Sequence, residues 1–233
     1  MISDYSKIVA KIKPSIAIVF SIDAKNQVFE KGSGFVIEKM GILVTCNHVV
    51  AEKNSTILLR FPDKEENITA KVALRDEEHD LALLKFDDTT IKPLGIASQE
   101  IVKEGMPVLF SGYPLDLVSL TTHQGILSAI MKDATGSTIY LIDGTVNSGN
   151  SGCPLMTQDG KVIGVVNAKR REQADLLRKV EDMPFGAIAI HGTDMIKIYK
   201  AMIDNLQLGI GYAVPSAYIP KYQGQEILIK KKK

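Results

Sequence analysis

Beyond Pro14 the chain is divided into short apolar runs, each of about five to seven residues, by clusters of Asn, Asp, Gly, Lys and Pro. The first set runs Ile16 to Ile22, Gly34 to Glu38, Ile42 to Thr45, Ser55 to Arg60, Ile68 to Leu74 and Leu81 to Phe86. A Pro- and Gly-punctuated connector, Lys92 to Met106, follows. The second set is Pro107 to Ser111, Leu117 to Thr122, Gly125 to Met131, Thr138 to Ile142, Pro154 to Met156 and Val162 to Asn167. This is the rhythm of a barrel or sandwich and not of βαβ units. Two such sets joined by a connector predict two small barrels packed together, although the halves share no sequence repeat.

Two segments depart from that rhythm. Residues 5–13 space Ile8, Val9 and Ile12 for a short amphipathic helix that ends before Pro14. From Thr193 to Leu206, Met195, Ile198, Tyr199, Met202, Ile203 and Leu206 recur at helical spacing. Thr193 and Asp194 open that helix and Gly209 closes it, with the apolar stripe directed to a core.

Composition narrows the function by exclusion. The chain has 233 residues, 45% apolar and 24% charged, which suits a packed fold and not a disordered one. A net charge of +1 and the lack of tryptophan leave neither a basic field nor a stacking platform for nucleic acid. The Lys230 to Lys233 run reads as a solvated tail. No apolar run approaches the roughly 18 residues that span a bilayer. Met1 to Pro14 has no continuous apolar core, so we expect a cytoplasmic protein or a chain trimmed of a leader. Two cysteines fit a reducing compartment and no disulfide framework. His79, His123 and His191 have no acid or cysteine cluster at ligand spacing, so neither a metal nor another cofactor is expected. His79 is expected to point away from its neighbour Asp80 on an extended chain.

The chemistry concentrates in Gly149-Asn150-Ser151-Gly152-Cys153-Pro154. Small residues around Ser151 let the backbone turn sharply and expose its hydroxyl, and Gly149 can offer an N–H to a developing oxyanion. Such a serine needs a base, and the base needs an orienter. His48 should end the strand Ile42 to Thr45, and Asp80 stands at the mouth of the strand from Leu81. Each is unremarkable alone. The order His, Asp, Ser is that of the chymotrypsin fold, and differs from subtilisin and the α/β-hydrolases.

At this point the chain resembles the trypsin-fold serine proteases of the HtrA/Deg type. The resemblance rests on Gly32-Ser33-Gly34-Phe35-Val36-Ile37, Thr45-Cys46-Asn47-His48-Val49-Val50, Asp80-Leu81-Ala82-Leu83-Leu84-Lys85, Gly112-Tyr113-Pro114-Leu115, Gly125-Ile126-Leu127-Ser128-Ala129, Asn147-Ser148-Gly149-Asn150-Ser151-Gly152 and Gly211-Tyr212-Ala213-Val214-Pro215-Ser216. It implies an all-β protein of two packed six-stranded antiparallel β-barrels, with one helix in a C-terminal-half insertion. The first barrel would occupy residues 1–100 and carry His48 and Asp80. The second would occupy 101–220 and carry Ser151, with the insertion at 169–210 and a tail at 221–233.

The implied activity is serine endopeptidase cleavage of protein or peptide substrates, in protein quality control. Ser151 would be the nucleophile, His48 the base, Asp80 its orienter, and the Gly149 and Ser151 N–H groups the oxyanion hole. By the same resemblance Thr145 lies at the base of the primary pocket, beside Val146, and Asn167 and Ala168 flank it. No acid stands at Thr145, so cleavage after a small or medium apolar residue is expected. Homotrimers are common in the family, with Tyr5 and Phe20 as candidate contacts here, and monomeric relatives are equally compatible. The sequence runs 17 residues past Ser216, too few for the PDZ domain usual in the family, so either a protease-only member or a trimmed chain is expected.

Several positions depart from the family pattern. Asn150 replaces the aspartate that pairs with a freshly cut N-terminus in secreted relatives. Cys46, Asn47 and Cys153 replace the usual residues beside the histidine and serine. The two cysteines read as small buried residues or, more sharply, as a thiol pair that senses oxidation. The segment after Asn167 is longer than the family's loop, and is expected to shape substrate access or assembly. The competing reading is a protease-fold binding or scaffold protein with low or latent activity.

Overall fold

A computed structural model describes residues 4–23, 25, 27–38, 41–50, 55–115, 117–168, 189–190, 193–198 and 209–222. A helix α1 (Ser6–Ile12) leads into a 3-10 turn, Lys13–Ser15. Pro14 sits in the first positions of that turn, where its fixed φ is suited and no N–H is needed.

Among the described residues fourteen strands follow: β1 (Ile16–Ile22), β2 (Val28–Glu38), β3 (Ile42–Cys46), β4 (Thr56–Arg60), β5 (Ile68–Asp76), β6 (Leu81–Phe86), β7 (Pro107–Gly112), β8 (Thr121–Lys132), β9 (Thr138–Asp143), β10 (Pro154–Met156), β11 (Val162–Asn167), β12 (Ala189–Ile190), β13 (Thr193–Asp194) and β14 (Ile210–Pro215). The first six close into a barrel in the order β1-β2-β3-β6-β5-β4, and a second barrel closes as β10-β11-β14-β9-β8-β7. Their pairings are antiparallel, and β12 and β13 form a separate two-stranded pair. Closure leaves neither barrel an open edge, and the bulges at Val36/Glu38, Val72/Leu74 and Leu127/Ala129 bend the strands to achieve it.

The two-barrel expectation therefore holds, with local differences. Strand β2 starts at Val28 and not Gly34, because Lys31 and Glu30 extend the ladder opposite Phe20 and Ser21. Thr121 and Thr122, the end of the run expected from Leu117, and the run expected at Gly125 to Met131 form one strand, β8, while Leu117 to Leu120 lie outside it. Its polar start, Thr121 to Gln124, is held by backbone pairing with β7. Residues 195–198 are helical, and the Asp194 carboxylate accepts the N–H groups of Ile196 and Lys197 at 3.0 and 3.3 Å. Asp194 is thus the cap, while Thr193 belongs to β13. The remainder of that expected helix, most of the insertion and most of the tail lie outside the described residues.

The larger core is continuous between the barrels. Phe35, Val44, Leu83 and their neighbours pack with Leu109, Tyr113, Met156 and Val165 of the second barrel. Tyr113 also donates its hydroxyl to the Ile16 carbonyl at 3.3 Å. This shared core sets the two barrels at a fixed distance, which the site between them requires. Among the described residues no helix is long and apolar enough to cross a membrane.

Candidate active site

Strands β3 and β6 pair with Cys46 opposite Leu81, so the residues just beyond their ends are neighbours. His48 lies on the 3-10 turn Asn47–Val50 that follows β3. Asp80 ends the turn before β6 in a left-handed conformation, φ 55°, which aspartate tolerates better than most residues. The Asn47 N–H donates to the Asp80 carbonyl at 2.9 Å, and the His48 N–H to Asp80 Oδ1 at 2.8 Å. His48 Nδ1 then lies 2.6 Å from Asp80 Oδ2. His79 is not on an extended chain, as expected, but in this same turn. Its ring bonds Asp76 Oδ2 at 2.8 Å and stacks on Tyr218 at 3.9 Å.

The second barrel brings Ser151 to the other face of the imidazole. Ser151 Oγ lies 2.9 Å from His48 Nε2 and accepts the Ala168 N–H at 3.2 Å. The turn that holds it is anchored to the first barrel through Ser33, which is fully buried. Ser33 N–H donates to the Ser151 carbonyl at 2.8 Å, and Ser33 Oγ donates to the Gly149 carbonyl at 2.7 Å. Ser33 Oγ also accepts the Tyr113 N–H at 2.9 Å.

Two glycines make this anchoring sterically feasible. A Cβ on Gly149 (φ 89°) would stand 2.4 Å from the Tyr113 carbonyl oxygen, and one on Gly152 (φ 87°) 2.1 Å from that of Ser33. The N–H groups of the turn are oriented by their own peptides. The Ser148 carbonyl accepts from Leu115 N–H at 2.6 Å, and the Asn150 carbonyl from Cys153 N–H at 3.0 Å. In a trans peptide the N–H points opposite to its carbonyl, so the Gly149 and Ser151 N–H groups face away from those donors. Asn150 is fully buried, and its amide atoms meet no hydrogen-bond partner among the described residues.

Burial alone would raise the Asp80 carboxyl. The hydrogen bonds and charge of His48, with the Asn167 amide, outweigh it and hold the group below the ordinary aspartate value. Asn167 Nδ2 donates to Asp80 Oδ2 at 2.8 Å. The sequence placed Asn167 and Ala168 on the strand that flanks the pocket; the Asn167 side chain is buried and has a further contact, with the Asp80 carboxylate. Thr145 is exposed and lines a hollow with Asp143, His123 and Ile126 that no residue of the His48-Asp80-Ser151 group lines. Val146 is buried in the second core, against Gly211.

Two supporting residues escaped sequence reading. Arg75 on β5 donates to Asn47 Oδ1 at 2.8 Å and to the Val50 carbonyl, tying down the turn that carries His48. Its only sign in the sequence was a charge directly after the run Ile68 to Leu74, which itself carries Lys71. Ser33 left none beyond its place in a glycine-rich strand.

Cys46 and Cys153 are free and buried. Burial pushes both thiols up, and the Asp80 charge adds to it at Cys46. The Cys46 thiol donates to the Val166 carbonyl at 3.3 Å. Donor atoms of Cys46, His48 and Asp80, none of them among the histidines weighed for a metal from the sequence, lie within 4.8 Å of one another. The thiol is protonated and Asp80 Oδ2 is already shared by His48 and Asn167, so the donor set suits hydrogen bonding better than a cation. His123 stacks on Phe110 at 5.0 Å, and burial lowers its basicity. His191 lies outside the described residues.

Residues 32–165 match the model of the trypsin-like peptidase domain. A probable periplasmic serine endoprotease, DegP-like, of Pseudomonas fluorescens is 34% identical over 146 residues, covering 61% of this chain and 30% of the relative. One from Rhizobium meliloti is 37% identical over 143 residues, 59% of this chain and 28% of the relative. The chain thus spans less than a third of these relatives. The HtrA-type protease AlgW with tripeptide superposes with a TM-score of 0.68 at 23% identity, covering 92% of this chain and 60% of that one. A serine endoprotease from Yersinia pestis gives 0.67 at 22% identity, covering 93% and 64%. These names correct the cytoplasmic expectation, because they point to the periplasm. Two small buried thiols fit a barrel interior in either redox setting and so carried no address.

Proposed function

The chain belongs to the trypsin-like peptidase family, and on that premise we propose that it is a serine endopeptidase of the HtrA/DegP type acting on protein substrates. The observation that carries this is the unbroken series from Asp80 Oδ2 through the imidazole to Ser151 Oγ, at 2.6 and 2.9 Å. His48 Nε2 takes the hydroxyl proton as Ser151 Oγ bonds to the substrate carbonyl carbon. Asp80, ionised because its depressed carboxyl has lost its proton at neutral pH, fixes Nδ1–H and stabilises the imidazolium. The Gly149 and Ser151 N–H groups bind the oxyanion, each such donor contributing about 2.7–4 kcal/mol to the transition state. His48 returns the proton to the leaving amine. Water then repeats the sequence on the acyl-enzyme and releases the acid.

Asn167 and Ala168 place the end of β11 beside Ser151, where an extended segment can pair with it. Such pairing favours unfolded or exposed segments, the substrates of protein quality control. By the family resemblance the residue at the base of the primary pocket is Thr145, which carries no charge, and on that resemblance we expect cleavage after small or medium apolar residues.

The test is hydrolysis of an unfolded protein such as reduced casein. Turnover that disappears in Ser151→Ala supports the proposal. Binding of casein without turnover, unchanged in Ser151→Ala, would instead favour a protease-fold binding protein.

A further inference from the structure

His79 adjoins Asp80 and has no part in the chemistry proposed above. Its side chain is only 17% exposed, which excludes a freely solvated ring. It sits in the tight turn 77–80 between β5 and β6, whose flanking residues Asp76 and Leu81 are paired. Asp76 ties the turn from within the first barrel. Its Oδ1 accepts the His79 N–H at 3.1 Å, and its Oδ2 lies 2.8 Å from His79 Nδ1. The imidazole then stacks on Tyr218, with ring centroids 3.9 Å apart and planes inclined by 18°.

Tyr218 is supplied by the second barrel. It ends the 3-10 turn Ser216–Tyr218 that directly follows β14. Its hydroxyl accepts the Thr138 N–H at the start of β9 at 3.0 Å. On the same turn Ser216 Oγ accepts from Gln99 Nε2 at 2.7 Å, and Gln99 Oε1 accepts the Tyr140 hydroxyl at 2.7 Å. Ile219, the next residue, is buried in the larger core. Tyr218 is thus a fixed platform of the second barrel, and the ring it presents holds a turn of the first.

The placement matters because the residue after His79 is Asp80. Its left-handed backbone, φ 55°, is one that surrounding contacts must hold. His48 and Asp80 come from the first barrel and Ser151 from the second, so the turn must be fixed against the second barrel. Asn167 does this at the Asp80 carboxylate, and the His79–Tyr218 stack does it one residue earlier. Misplacing such a group by about 1 Å can cost on the order of 100-fold in rate. We propose that His79 is a positioning residue for Asp80, and that it acts through its stack on Tyr218. The bond to Asp76 stays within β5 and its own turn, so it does not set that turn against the second barrel. The inference rests on the serine endopeptidase reading above.

Steady-state kinetics on one internally quenched peptide test it. Rates are taken per site titrated by a fluorophosphonate, so unfolded molecules drop out of the count. His79→Gln keeps a polar partner for Asp76 and loses the stack, and Tyr218→Leu loses the stack from the other side. Each should lower kcat roughly three- to tenfold, the scale of an aromatic pair, with KM within about twofold. His79→Phe and Tyr218→Phe retain two rings and should keep kcat within about twofold of the wild type. The variant carrying both His79→Gln and Tyr218→Leu should be no slower than the slower single, because both remove one contact. Should Tyr218→Leu not fold, His79→Gln against His79→Phe decides alone. A kcat unmoved in the single variants, even with weaker resistance to urea, would make the stack merely structural and overturn the proposal. So would a doubly substituted variant slowed by the product of the two single effects, or a His79→Phe as slow as His79→Gln. A wild type that neither labels at Ser151 nor cleaves the peptide would overturn the endopeptidase reading, and this inference with it.

Discussion

Asn167 Nδ2 donates to Asp80 Oδ2 over 2.8 Å, so a residue 87 positions away, in the other barrel, holds the carboxylate that orients His48. A hydrogen bond to a buried charge contributes about 1.5–3 kcal/mol. Asn167→Ala should therefore lower kcat roughly 10- to 100-fold, with KM little changed. Asn167→Asp should be worse, because it sets a second carboxylate against the first. Steady-state kinetics on one peptide checks both. An unchanged kcat in Asn167→Ala would make the contact merely structural.

Ser33 predicts a combined defect. Ser33→Ala leaves the Gly149 carbonyl without its hydroxyl donor and the Tyr113 N–H without its acceptor. Unfolding in urea should show a loss of about 1–3 kcal/mol. The rate with fluorophosphonate should fall as well, because the nucleophile turn loses its anchor.

Gly152 and Gly136 separate strain from collision. Both have positive φ, 87° and 85°, but a Cβ on Gly136 meets nothing within 4 Å. Gly136→Ala should cost about 1–2 kcal/mol for the left-handed backbone alone. Gly152→Ala should cost more by at least about 1–3 kcal/mol, because its methyl group would overlap the Ser33 carbonyl. Paired melting curves decide it.

The depressed Asp80 carboxyl makes stability depend on pH in acid. A folded value below the unfolded one stabilises fully above about pH 4. That contribution is lost as pH falls through the folded value. The difference in unfolding free energy between about pH 6 and about pH 3 should be smaller in Asp80→Asn than in the wild type.

The buried thiols should be silent in the native state. Neither Cys46 nor Cys153 should react with a water-soluble disulfide reagent at about pH 8, and both should react in urea. Fast native labelling would revive the redox reading.

What was legible in the sequence was local. His48 follows an apolar strand and Asp80 precedes one, so neighbouring residues announce both. Ser151 sits in a turn whose glycines are its own signature. The partners of those residues are set by the closure of two barrels, and no local pattern encodes them. The contact of Asn167 with Asp80 is invisible in the sequence, because nothing near Asn167 in the chain shows that Asp80 lies under it. Ser33 looked like one more small residue in a strand, because its partners lie in the other barrel. The polar start of β8 hid a strand held by backbone pairing and not by apolar alternation. His79 was misplaced because the left-handed turn at Asp80 is invisible to alternation.

The central claim is that Ser151 is an activated nucleophile, and covalent labelling tests it most directly. Intact mass after exposure to a fluorophosphonate should show one adduct per chain in the wild type, none in Ser151→Ala, and strongly slowed formation in His48→Ala. A folded wild type that gains no adduct, or an adduct that survives Ser151→Ala, would contradict the account.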